Sequence, residues 1–207
     1  MSAIKKIHKD DIIDVSLKII RNDGIQGLNA RRIAKELGCS TQPIFYYYES
    51  MDDIKTDALK KISEIFDESM IKSNYDKVVY KDIGINYIRF AKNEPVFFKL
   101  LFNSDANQKT MDFIELTGLS DKIFQVISKQ TGLSCEEIKN FHFKMWLYVN
   151  GIANLVANNT CEFNDGQIQK LLEDQYISML LFEVQKGNIG KEVLENMINN
   201  KLKYKGN

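Results

Sequence analysis

The chain has 207 residues, 44% of them hydrophobic, and its 28 lysines and arginines are balanced by 28 aspartates and glutamates. That length can bury a sizeable core, while zero net charge removes the simplest case for nucleic acid, a globally basic surface, so any such binding must come from local arrangement. Three scattered cysteines with no CxxC pair, and only two histidines, offer neither a disulfide framework nor a zinc site.

No run approaches the roughly 20 apolar residues that cross a bilayer, and "MSAIKKIHKDDIIDV" carries no apolar stretch of secretory type. The expectation is a cytoplasmic protein with no metal, cofactor or membrane partner. Two prolines, scarce glycines and apolar spacing of three to four make the fold class all-α.

The first amphipathic helix spans about 9–22, with Ile12, Val15, Ser16, Ile19 and Ile20 on one face and charges on the other, and ends near Gly24. A helix of about eight residues follows: Asn29 is its N-cap, Ala30, Ile33, Ala34 and Leu37 share a face, and Gly38 stops it. Ser40 is expected to cap the next, "TQPIFYYYE", where Pro43 falls in the first turn and its missing amide costs nothing. Ser50 opens a longer helix with Asp53 three residues on, a capping-box pattern. Helices this short are marginal alone, so the first three must hold one another, in the outline of a helix-turn-helix.

At 100° per residue, Thr41, Ile44, Phe45 and Tyr48 form the expected inner arc of the third helix, and Gln42, Pro43, Tyr46 and Tyr47 the outer one. On the second helix Arg31, Arg32, Lys35 and Glu36 face outward. A basic edge beside a polar-aromatic face suits duplex DNA: arginine and lysine meet phosphate or guanine, glutamine pairs with adenine, and tyrosine reaches phosphate, sugar or a thymine methyl. Ser40 and the amides of the helix start would favour a nearby anion. The alternative for Tyr46 and Tyr47 is packing against a neighbouring domain, and for Arg31 and Lys35 an ordinary solvated face.

The stretch "DIIDVSLKIIRNDGIQGLNARRIAKELGCSTQPIFYYYESMDDIKTDAL" resembles the N-terminal DNA-binding domain of the TetR family of bacterial transcriptional regulators, over about the first quarter of the chain. The resemblance implies "RRIAKELG" as the positioning helix and "CSTQPIFYYY" as the recognition helix in the major groove. By position it makes Thr41, Gln42 and Pro43 base-reading residues, Tyr46 and Tyr47 phosphate and base-edge contacts, and Arg31 a contact from the preceding helix. Phe45 stands where the family usually has tyrosine, and Met51 where most members have a phosphate-gripping lysine. Lys55, or Lys5, Lys6 and Lys9, are the candidates to replace it.

Downstream, amphipathic helices are expected at about 81–93, at "EPVFFKLLF", in one or two pieces across 108–131, at 134–158, 165–186 and 190–203. The resemblance implies that this half carries a small-molecule pocket and the dimer contacts, giving a helix-turn-helix domain over 1–51 and a ligand-binding and dimerisation domain over 52–207. "NEPVFFKLLF" and "MWLYVNGIANLVAN" resemble a subgroup whose long helix carries a Trp followed by His-Gly; here Asn150 takes the histidine's place before Gly151. His142, Trp146 and Asn150 lie on one stripe at four-residue spacing. They are candidate pocket wall together with Tyr87, Phe90 and Phe102, the alternative being a satisfied core histidine and asparagine.

"QYISMLLFEV" is apolar on nearly every side, which predicts burial against a second copy in a two-fold dimer that also uses part of the 134–158 helix, the alternative being packing within the core of one chain. His142 is five positions from Glu137 and seven from Cys135, so these make no ligand set or nucleophile-base pair, and no glycine-rich phosphate loop appears. The expected function is a ligand-responsive regulator, most simply a repressor, with operator DNA, a second copy and a small-molecule effector as partners. A helical carrier or interaction protein without DNA binding is the alternative.

Overall fold

Apolar residues at three-to-four spacing become helices wherever the computed structural model describes the chain, at residues 7–70, 80–103, 124, 125, 127–129 and 131–196. Among these residues the architecture is all-α, a helix-turn-helix followed by a helical bundle, and no strand is formed. Most of the stretch expected across 108–131, the end of the 190–203 helix, and Lys5 and Lys6 lie outside the described residues. The chain separates into two compact units, Met1–Glu68 with Asn93–Gln108, and Ser69–Lys92 with Lys109–Asn207.

In the first unit, α1 (Lys9–Asp23) buries Ile12, Ser16, Leu17, Ile19 and Ile20. The Ser16 hydroxyl donates to the Ile12 carbonyl at 2.7 Å, so the polar group on the buried face is satisfied. A short 3-10 turn, Ile25–Gly27, leads to α2 (Ala30–Leu37). The Asn29 side chain accepts from the Arg32 amide at 3.0 Å, the expected cap. Gly38 closes α2 at φ 69°, a left-handed conformation that a side chain would strain.

Next come α3 (Gln42–Tyr47) and α4 (Met51–Met70). At the start of α4, Ser50 and Asp53 exchange hydrogen bonds: the Ser50 amide donates to the Asp53 carboxylate at 2.9 Å and the Asp53 amide to the Ser50 hydroxyl at 3.2 Å. Ile54, Ala58, Ile62 and Phe66 form its buried stripe. Also in this unit is α6 (Pro95–Phe102), which follows α5 (Tyr80–Asn93) in the chain and packs on α1: Arg21 donates to Glu94 at 2.8 Å and lies 4.7 Å from the Phe97 ring centroid.

The second unit contains α5 (Tyr80–Asn93) but for its last residue, α7 (Cys135–Ala157) and α8 (Asp165–Gln185). Serine and asparagine caps open the last two, Ser134 accepting from the Glu137 amide and Asn164 from the Gln167 amide. Gly84 lets α5 approach closely, because a Cβ there would stand 3.1 Å from Leu172 Cδ1 on α8 and 3.5 Å from Val149 Cγ2 on α7. Ion pairs Lys81–Glu173 and Arg89–Asp165 tie α5 to α8 at its edges.

Candidate nucleic-acid interface and interior polar cluster

Only Ile44 of α3 is buried within the helix, and Tyr48, just after it, is buried as well. Tyr48 is extended, φ −134° and ψ 136°, so it reaches the core by leaving the helix rather than by helical phase. Remove it from the helical wheel and the inner arc turns toward Ile44. Phe45, expected inside, is instead 46% exposed. Gln42 is exposed, Tyr46 is 82% exposed, and Thr41, Pro43 and Tyr47 are half-buried.

The expected Ser40 cap is not formed. Thr41 takes the N-cap position, in helical conformation and with no capping bond from its side chain. Thr41 has few donors to accept from: Pro43 has no amide hydrogen, and the Ile44 amide already bonds the Thr41 carbonyl at 3.1 Å. Ser40 is left exposed.

Two networks hold this helix. The Tyr47 hydroxyl donates to the Ile7 carbonyl at 3.1 Å, and its ring meets that of Tyr46 edge to face, centroids 5.2 Å apart. Tyr48 donates to Asp57 at 3.0 Å, and Lys9 pairs with the same carboxylate at 2.7 Å while lying over the Tyr48 ring. Lys9 holds the Asp57 carboxyl below its ordinary range, and Tyr48 also contributes as a donor.

The cations differ in availability. Arg31 and Lys35 are exposed on α2. Arg32 is bonded to Asp23, Lys18 to Glu36 at 2.8 Å, and Lys55 to Asp52 at 2.8 Å. Lys55 and Lys9 would therefore have to exchange a carboxylate partner to make the phosphate contact expected of one of them.

In the second unit the candidate pocket residues fall into two groups. The Tyr87 hydroxyl donates to Asn150 Oδ1 at 3.0 Å, Asn154 Nδ2 donates to the same oxygen at 3.2 Å, and Trp146 hydrogen-bonds Tyr87. His142 stands one turn away, its Nδ1 3.0 Å from the Tyr80 hydroxyl and its ring edge-on to Phe124. Burial lowers the imidazole from 6.5 to about 4 and raises the Tyr80 and Tyr87 phenols, with Tyr176 raised to about 12. At neutral pH this interior is polar and uncharged.

Phe90 is buried on α5. Phe102 belongs to the first unit, where it contacts the rings of Phe66 and Phe98. Sequence reasoning passed over Tyr80, Tyr176 and Asn154. Tyr80 lies seven residues before Tyr87 on the same face, but the helix was expected to begin one residue later, at 81. Among the described residues no group of three His, Cys, Asp or Glu could hold a metal, and no helix is long and apolar enough to cross a membrane.

No protein-family model matches the chain, and no curated protein matches it either. Solved structures do. A TetR-like transcriptional regulator from Rhodococcus sp. RHA1 superposes with a TM-score of 0.57 at 14% identity, covering 86% of this chain and 96% of that one. The multidrug binding protein EbrR, complexed with ethidium, gives 0.54 at 14%, covering 80% and 96%. A proposed TetR-family regulator from Rhodococcus sp. gives 0.58 at 17%, covering 82% and 97%. At such identities the likeness is one of fold, and it spans both units.

Proposed function

We propose that the chain is a ligand-responsive DNA-binding transcriptional regulator, non-catalytic and acting as a repressor, with operator contacts in residues 1–51 and effector and dimer contacts in 52–207. The observation that carries the reading is the outer side of α3: a short helix of a helix-turn-helix with Gln42 and Tyr46 projecting into solvent, Arg31 being exposed on the preceding helix. Gln42, with Thr41 and Pro43, would read base edges. Tyr46, Arg31 and Ser40 would meet the backbone, and Tyr47 would position the helix through Ile7 as well as touch DNA.

The second unit supports a two-fold dimer. Phe143, Leu147 and Leu155 stand exposed on α7, with Gly151 between the last two, and Leu181 and Phe182 stand exposed on α8. Lone apolar side chains on a surface need no explanation, but an aligned stripe of them on adjoining helices calls for a cover. A second copy presents the same stripe, so a two-fold axis covers both at once.

The interior cluster of Tyr87, Trp146, Asn150 and His142, with Phe90, is the proposed wall of the effector site. EbrR, similar in fold, is described as holding ethidium. An effector that binds one arrangement of the dimer better than the other changes operator affinity by that difference in affinity and no more.

The test is a gel shift with DNA upstream of the protein's own gene. Saturable, salt-sensitive binding is expected. Gln42→Ala and Tyr46→Ala should weaken it on the specific site by about 1–3 kcal/mol each. Arg31→Ala should weaken it on every sequence and lower the salt slope by about one. Equal affinity for random DNA would refute sequence reading.

A further inference from the structure

The face that α3 leaves open carries no Asp, Glu, Lys, Arg or His. Its exposed residues, Gln42, Phe45 and Tyr46, lie within an arc of about 100° on the side away from Ile44. Guanine is read in the major groove chiefly by arginine or lysine at O6 and N7, adenine by glutamine or asparagine at N6 and N7, and the thymine methyl by apolar contact. From 41 to 47, "TQPIFYY", the helix offers the second and third of these and not the first.

The surrounding cations do not supply what it lacks. Arg32, Lys55 and Lys9 are engaged with Asp23, Asp52 and Asp57. Arg31 and Lys35 are exposed, but they stand on α2 and not on this helix. A face without Asp, Glu, Lys or Arg on α3, with exposed cations on the preceding helix, suits a groove floor of bases edged by phosphates.

Phe45 makes the assignment more specific. Phe45, 46% exposed, adjoins the exposed Tyr46 on the side away from the fully buried Ile44, so its ring is an apolar surface available to whatever the face meets. Within a major groove, the apolar group available is the C5 methyl of thymine. Beside it, Tyr46 is braced edge to face by Tyr47, itself anchored at the Ile7 carbonyl, which fixes the ring at small entropic cost.

We propose that the base pairs read by α3 are A·T pairs, Gln42 taking an adenine and Phe45 packing on a neighbouring thymine methyl. This rests on the DNA-binding reading above and adds to it the composition of the half-site core. Phe45 is thereby a specificity-determining residue.

The test begins with selection of duplexes from a random library by the full-length protein. The selected duplex is then resynthesised with single thymines replaced by deoxyuridine, which removes only the methyl, and single adenines by 7-deazaadenine, which removes only the N7 acceptor. A·T pairs are expected at the core of the selected half-site. One uracil should weaken wild-type binding about fourfold, the worth of one buried methyl, and should leave Phe45→Ala unaffected. One deaza-adenine should weaken the wild type about tenfold and leave Gln42→Ala unaffected. A core of G·C pairs, or uracil sensitivity that persists in Phe45→Ala, overturns the assignment and leaves the regulator reading standing. Enrichment of no sequence at all overturns both.

Discussion

Acid should loosen the second unit through one imidazole. His142 is buried enough to pull its pKa from 6.5 to about 4, and the ionisable groups identified against it, Tyr80 on α5 with Tyr176 beyond it on α8, are phenols that stay neutral throughout the acid range. With Tyr80 donating, Nδ1 accepts and the ring proton sits on Nε2; a second proton would make Nδ1 a donor, force the Tyr80 hydroxyl to turn about, and leave a charge in a buried site. The folded pKa is lowered, so between about pH 6.5 and 4 the unfolded chain binds the proton that the folded chain refuses, and stability falls as pH falls through that window. At about pH 5.5 the slope is roughly 1.2 kcal/mol per pH unit, and the loss between about pH 7.5 and 5 sums to roughly 2 kcal/mol.

The assay is urea denaturation followed by tryptophan fluorescence, because the single tryptophan, Trp146, lies one turn from His142 on α7. A loss of that size lowers the urea midpoint by about 1 M. Other carboxylates titrate nearby, so the informative quantity is the difference between the wild type and His142→Gln, which keeps a hydrogen-bond acceptor for Tyr80 but has no proton to take up. That difference should be flat above about pH 7 and grow against the wild type on acidification. Parallel profiles for the two proteins would refute the reasoning, since they would mean that the imidazole titrates alike folded and unfolded.

Asp67 on α4 should act in the opposite sense: one of its buried carboxylate oxygens has no hydrogen-bond partner among the described residues, and burial, then the Glu64 charge, raises it to about 6. Its folded pKa lies above its unfolded one, so its contribution is greatest in acid and is lost as pH rises through about 6; Asp67→Asn should stabilise by about 1 kcal/mol at neutral pH after screening, raising the melting temperature measured by circular dichroism. Around Asp57, Tyr48→Phe should cost about 1 kcal/mol and Lys9→Met about 0.5 kcal/mol in chemical denaturation, and the double variant less than their sum, because both partners share one carboxylate. Leu147→Glu, and separately Phe182→Glu, should shift sedimentation from a dimer to a monomer at micromolar concentration while leaving helix content unchanged.

The parts of this fold legible in the sequence are those where one residue type settles one local question. Asn29, Ser50 and Ser134 accept amides at helix starts because a short oxygen-bearing side chain is the cheapest partner there, and Gly38 ends α2 because its φ is positive. Long stripes such as Ile54, Ala58, Ile62 and Phe66 were legible because four repeats of a period average out an error at any one position. The interior cluster was legible on α7, where His142, Trp146 and Asn150 repeat every four residues. It was lost at its α5 end, where placing the helix start one residue late hid Tyr80.

The helix proposed to read DNA, α3, is the opposite case. With six residues it has a turn and a half, and a single buried side chain, Ile44, sets which way it faces. Tyr48 looks like a second anchor in the same phase, yet it lies past the last helical residue and is held by Asp57 on α4, a contact made by tertiary packing that no local pattern encodes. Counting it as helical swings the inner arc toward Phe45 and conceals the apolar residue that the open face carries. A helix with one buried side chain leaves most of its surface outside the core, as the proposed reading of DNA requires, and for the same reason its orientation is written in the neighbours that grip it at Tyr47 and just past its end at Tyr48.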